Sequence, residues 1–209
     1  MTLHFDRDTH TYTIGGKVLP SVTNIIASDP SLYSFGAVRP DILEAAAEKG
    51  SDIHDYLHLW EVGDSEEGSH YEPFEPYRKQ WLRFVVEGVR EVMTGAIDTM
   101  SEEPLCHTGH GFAGTPDRVY YNDKEITIVD IKTGGETKAH RIQPAAYAIL
   151  ALRQLRPTAP RFDGVRRVAV YLSADKPYKA VWHDDPTDFT AFMALRSLYL
   201  WKKTNGVIK

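Results

Sequence analysis

A mixed α/β domain, a central set of strands flanked by helices, is the fold class this sequence predicts. Three observations lead there. Helix-forming composition and spacing dominate residues 21–95, period-two alternation takes over across 96–183, and an amphipathic helix closes the chain over 184–205. All 209 residues fit one domain with a sizeable core, and no repeat or low-complexity linker divides them.

The elements follow in order. "LHFDRDTHTYTIGGKVLP" alternates apolar and polar residues around Gly15-Gly16, which predicts a β-hairpin over residues 1–20. Ser21 is placed to cap a helix starting at Val22. Residues 41–61 are helical by composition, with Gly50 marking a joint or a close contact. Asp64 to Pro76 reads as an acidic loop, and Tyr77 to Met93 as a helix carrying Trp81, Phe84, Val85, Val89 and Val92 on one face. Strand-like runs are expected at about 97–107, 112–121 and 125–132, then a helix over 143–155, two further strands in "RRVAVYLSA" and "YKAVWH", and a last helix from Pro186 to Lys203.

Composition narrows the function. Hydrophobic content of 42% and charged content of 25% are those of an ordinary folded protein, not a disordered one. Cys106 is the single cysteine, so an internal disulfide, a four-cysteine zinc site and an iron–sulfur cluster are excluded. No phosphate-loop pattern occurs, so no nucleotide cofactor is expected. An N-terminus without an apolar signal region, and the lack of any long apolar run, predict a cytoplasmic protein with no membrane partner. The net charge of −5 is uneven: residues 1–103 carry 19 acidic and 8 basic side chains, residues 104–209 carry 10 and 16. A basic half can hold a polyanion despite the acidic total.

The chemistry concentrates in "GTPDRVYYNDKEITIVDIKTGG", Gly114 to Gly135. If residues 126–132 form a strand, Asp130 and Lys132 share one face while Val129 and Ile131 point into a core. A hairpin at Asn122-Asp123 returns the chain to Asp117, so both aspartates meet at one end of the sheet. Close carboxylates repel unless a cation lies between them, and an all-oxygen set of this kind suits Mg²⁺ or Mn²⁺. Spacing alone leaves two readings open, a salt-bridged hairpin end or a metal site with a functional lysine.

The pattern "PD", twelve residues, then "DIK" resembles the PD-(D/E)xK nuclease superfamily, with Asp117, Asp130 and Lys132 on its signature positions. "EKGSDIHDYLHLWEVG", "GFAGTPDRV", "QPAAY" and the N-terminal "THTYTIGGKVLPSVTNII" are similar to the RecB-like and phage-exonuclease branch. The likeness spans nearly the whole chain. It implies a restriction-endonuclease-like core, and His54 as a metal ligand together with Asp117, Asp130 and the Ile131 carbonyl. It also implies an additional acid, Glu102 or, with the strand phase shifted by one residue, Glu103. Gln143 is then expected near the lysine or the metal-bound water, and Tyr147, one helical turn on, near a phosphate. Lys138, His140 and Arg141 beside them, with Arg166 and Arg167, are candidates for holding the DNA backbone, against the alternative of solvated surface charge.

The resemblance therefore implies a Mg²⁺- or Mn²⁺-dependent deoxyribonuclease acting on DNA ends, single- or double-stranded, in phage or bacterial recombination, repair or replication. Some phage exonucleases of this superfamily form rings, so a homo-oligomer or a recombination-protein partner stays open. The rivals are a structure- or sequence-specific endonuclease, a non-catalytic DNA-binding module of the same fold, and a hydrolase of RNA or of a small phosphoester.

Overall fold

A five-stranded sheet, flanked on both faces by helices, organises the chain. The computed structural model describes residues 2–33, 39–63, 69–95, 97–155 and 164–208. The chain begins with an antiparallel meander of β1 (Leu3–Asp6), β2 (Thr11–Ile14) and β3 (Lys17–Leu19). This is one strand more than the expected hairpin, because the chain also turns at Arg7–His10, where His10 takes a positive φ. Ser21 caps α1 (Val22–Ala27), its hydroxyl accepting from the Asn24 N–H at 3.0 Å.

Helix α2 (Pro40–Glu61) runs 22 residues without a break. Gly50 is therefore a close contact and no joint: a Cβ there would stand 3.1 Å from Thr133 Oγ1. The acidic stretch expected from Asp64 lies outside the described residues as far as residue 68, and Ser69–Phe74 is a 3₁₀ helix. The helix expected from Tyr77 to Met93 is α3 (Glu75–Phe84), a π turn over Val85–Val89, and α4 (Arg90–Val92).

β4 (Asp98–Ser101) and β5 (Leu105–His107) divide the run expected at 97–107. Glu102 takes a positive φ, Pro104 stands two residues on, and the two halves enter different sheets. The next run is likewise split, into β6 (Phe112–Gly114) and β7 (Arg118–Tyr121), around Thr115–Asp117. β8 (Ile126–Lys132) forms the expected hairpin with β7, closed by the Asn122 side chain accepting from the Lys124 and Glu125 N–H groups.

α5 (Ala139–Leu155) begins four residues earlier than expected, because the Thr137 and Lys138 carbonyls already accept from His140 and Arg141. β9 (Val165–Tyr171), β10 (Lys179–Trp182) and α6 (Thr187–Thr204) complete the chain. The sheet order is β10-β9-β8-β7-β4, with β8 and β9 parallel and every other pair antiparallel.

Alternation on β8 separates two cores. Ile126 and Ile128 pack with α1, α5 and α6. Val129 and Ile131 pack, with Val168 and Val170, against Ile53 and Leu57 of α2 and Trp81 and Phe84 of α3. A third, small cluster of Tyr12, Leu19 and Ala113 joins the meander to β6.

Gly114 lies where β6, α1 and α5 converge. A Cβ on it would meet the Tyr147 ring at 2.9 Å and Val22 Cγ2 at 3.0 Å. Gly114→Ala is expected to destabilise the fold by about 1–3 kcal/mol through overpacking, visible as a lower urea midpoint.

Candidate active site

Three strand ends and two helices meet around Asp117. Asp117 precedes β7, and its Oδ2 accepts the Ile131 N–H at 2.5 Å, so the backbone of β8 itself fixes the carboxylate. His54 comes down from α2, with Nδ1 3.3 Å from Asp117 Oδ1 and 3.8 Å from Glu102 Oε1. The turn that ends β4 supplies Glu102, whose N–H donates to the Asp117 carbonyl at 3.2 Å. His54, Glu102 and Asp117 each offer a ligand atom, all within 4.8 Å of one another.

One strand over, Asp130 and Lys132 share the α5 face of β8. Lys132 Nζ lies 2.8 Å from Asp130 Oδ2 and donates to Gln143 Oε1 at 3.1 Å. Gln143 Nε2 in turn donates to the Tyr147 hydroxyl at 3.0 Å. Asp130 is fully buried, and apart from the ion pair neither of its oxygens has an aligned hydrogen-bond donor.

Electrostatics follow from this crowding. Burial opposes a charge on His54, but Asp117 and Glu102 override it and lift the imidazole to about 10. Burial alone would raise Asp117; His54, Lys132 and the Ile131 N–H hold it below its ordinary value instead. Asp130 is lifted to about 6 by burial, with Lys132 opposing and Asp117 adding to the rise. Burial disfavours the Lys132 charge, yet Asp130 and Asp117 raise its pKa, so the lysine keeps its proton. Tyr147 is raised well above its usual value by burial and by the two aspartates, and stays a neutral phenol.

Behind Asp117, the next residue turns to the α2/α3 face. Arg118 is fully buried, donates to the Asp117 carbonyl at 2.6 Å, pairs closely with Glu61 of α2, and reaches Glu102 at 3.5 Å. Glu61 also accepts the Trp81 indole N–H at 2.7 Å, and the Arg118 guanidinium lies over the Trp81 ring. Sequence reasoning passed over Arg118 and Glu61. A signal was present: a strand neighbour of Asp117 on a core-facing position is a buried cation, which needs an acidic partner.

The structure thus gathers His54, Glu102 and Asp117 into one cluster, and Asp130, Lys132, Gln143 and Tyr147 into a chain beside it. Of the two candidate acids, Glu102 reaches the cluster and Glu103 is exposed. Ile131 supplies its N–H to Asp117. Lys138 is exposed, while His140, in the first turn of α5, meets the Tyr171 hydroxyl at 3.0 Å through Nδ1. Arg141 pairs with Asp185 and Asp188, buried Arg167 with Asp188, and Arg166 with Glu125. Those ion pairs tie the three arginines into the fold, and Arg166 and Arg167 are not brought to the cluster.

A family model of the PD-(D/E)XK nuclease superfamily matches residues 31–199, so the chain belongs to that superfamily, whose members are nucleases that use divalent metals. Two solved structures are similar in part. One is a Eubacterium rectale protein provisionally designated an exonuclease, 10% identical over 77% of this chain and 69% of that chain, with a TM-score of 0.48. The other is SSO0001, 15% identical over 70% and 83%, with a TM-score of 0.33. No curated protein matches the chain. No helix among the described residues is long and apolar enough to cross a membrane.

Removing Arg118 would strand two acids at once. Arg118→Met is expected to cost on the order of 3 kcal/mol, measured by denaturant unfolding, and adding Glu61→Gln should restore part of it. His140 gives a pH test. Its imidazole is pushed down to about 3 by burial, with Lys132 and His183 adding, against 6.5 for the free side chain. Between those values the unfolded chain holds more protons, so stability falls as pH falls. His140→Gln should flatten that decline, its urea midpoint gaining on the parent's below about pH 6.5.

Proposed function

We propose that this protein is a divalent-metal-dependent deoxyribonuclease, acting as an exonuclease on DNA ends. The observation that carries the reading is a three-ligand cluster of His54, Glu102 and Asp117 beside a buried Asp130–Lys132 pair. The donor set fits a hard divalent ion: two carboxylates and an imidazole converge, and Asp130 adds two buried oxygens with no aligned hydrogen-bond donor beyond the Lys132 ion pair. His54, Glu102, Asp117 and Asp130, with the Ile131 carbonyl as the superfamily implies, would hold Mg²⁺ or Mn²⁺. When bound, the ion polarises a phosphate oxygen and lowers the pKa of a water.

The chain's own groups do the rest. Lys132 carries a permanent positive charge to the attacked phosphate, where negative charge develops during hydrolysis. Gln143 holds the Lys132 ammonium in place and is itself fixed by Tyr147. Against the cost of burial, His54 and Lys132, with the Ile131 N–H adding, keep Asp117 ionised, and that N–H fixes the carboxylate beside His54. Buried apolar residues under β8 keep water from screening these charges.

The preference for ends, the DNA substrate and a place in phage or bacterial recombination or repair extend the family assignment along its RecB-like likeness. Asp117→Asn and Lys132→Met should each lower divalent-dependent cleavage by about 10³-fold or more, with circular dichroism unchanged. EDTA should abolish cleavage by the parent protein. End-labelled linear DNA should be degraded and covalently closed circular DNA spared. Cutting of the circle would make the protein an endonuclease, and undiminished cleavage by both variants would overturn the assigned roles.

A further inference from the structure

A cleft of about 480 Å³ opens beyond the ends of β8 and β9. One wall is Thr133 and Gly134, which directly follow Lys132. The connection from β9 to β10 brings Lys176, the start of β10 brings Lys179, and the helical layer brings Lys49 and Tyr77. Three lysines thus line it, against a single carboxylate, Asp175. Lys179 also pairs with Glu136, and Lys49 stands over the Tyr77 ring at 5.3 Å.

Its position ties it to the active site. β8 and β9 are the parallel pair of the sheet, and the crevice beyond the carboxyl ends of such strands is where α/β sheets receive ligands. Tyr171 lies opposite Lys132 in the parallel register, so it shares the sheet face of Asp130 and Lys132 while also lining the cleft. On α2, Lys49 precedes His54 by five residues, a rise of about 7.5 Å. Gly50 between them lets α2 approach Thr133, which lines the cleft, so closely that a Cβ there would stand 3.1 Å from Thr133 Oγ1.

We propose that this cleft holds one nucleotide of the strand being cut, the unit next to the attacked phosphodiester. The inference rests on the nuclease reading above and adds where the substrate lies. Lys49, Lys176 and Lys179 receive the phosphate as point charges. Tyr171 offers a ring face to the base, a contact that every base can make. The size suits one such unit, and the polar lining suits an anion better than an apolar ligand.

The test uses Lys49→Glu and the double variant Lys176→Ala/Lys179→Ala, with single- and double-stranded labelled oligonucleotides and Mg²⁺. All three positions are exposed, so thermal unfolding should match the parent. Each variant should raise KM about tenfold while kcat changes less than about threefold. The double variant should also flatten the dependence of log(kcat/KM) on log salt, by about 0.7 for each phosphate that no longer meets a lysine. Unchanged KM and salt slope in both variants, with the parent cutting normally, would overturn the cleft assignment and leave the nuclease reading intact. A parent protein that leaves every oligonucleotide uncut would overturn the nuclease reading itself, and the cleft assignment with it.

Discussion

Asp130 sets the terms for the rest of the molecule. It is fully buried, its neighbour Asp117 is nearly so, and two carboxylates at one buried sheet end destabilise a fold unless cations answer them. Lys132 and His54 answer them here. Lys132 pairs with Asp130 on the α5 face, while His54, drawn from a helix more than sixty residues earlier in the chain, answers Asp117. The shifts record the balance before any metal binds. Against the cost of burial, Asp117 and Glu102 draw a proton onto His54, one the imidazole must release before it can ligate a metal. Asp130 is left incompletely compensated. That residual demand for positive charge is what the divalent ion of the proposed function would meet.

Helix α2 braces this site along its whole second half. Gly50 presses on Thr133, His54 reaches Asp117 and Glu61 pairs with Arg118, so contacts one to three turns apart fasten the helix to the ends of β7 and β8. An unbroken helix is a rigid ruler, and the spacing of those three residues sets how far His54 descends. Arg118 complements it from inside. By bonding the Asp117 carbonyl and approaching Glu102, it links two of the three ligands through one planar cation. On the opposite face, Gly114 leaves room for Tyr147, which holds Gln143, which holds Lys132. His54, Glu102, Asp117 and Lys132 are thus each positioned by a neighbour on another element, which suits a catalyst whose groups must be oriented before substrate arrives.

Much of this was legible in the sequence, and for identifiable reasons. Strand alternation placed Asp130 and Lys132 together, and the Asn122-Asp123 turn returned the chain to Asp117, both consequences of local geometry. Helical spacing put Gln143 and Tyr147 on one face, and they are hydrogen-bonded. Errors fell where the chain departs from local rules. The runs at 97–107 and 112–121 each read as one strand, yet each breaks between sheets, at Glu102–Pro104 and Thr115–Asp117, and those breaks carry Glu102 and Asp117. The ion pairs of Arg141, Arg166 and Arg167 involve residues 41 to 47 positions away for two of them and 21 for the third, which no local pattern reveals.

By itself the sequence determined the periodicities, the acid–lysine face of β8, the capped start at Ser21 and the family motifs, since each depends on spacing within one element or one turn. Tertiary structure alone decided that Glu102 and not Glu103 joins His54 and Asp117, that Arg118 ties the site to Glu61, and that a lysine-lined cleft continues beyond Lys132. The physical reason is the same in each case. Charges separated by tens of residues interact only once packing has brought them within a few ångströms and excluded the water that would screen them.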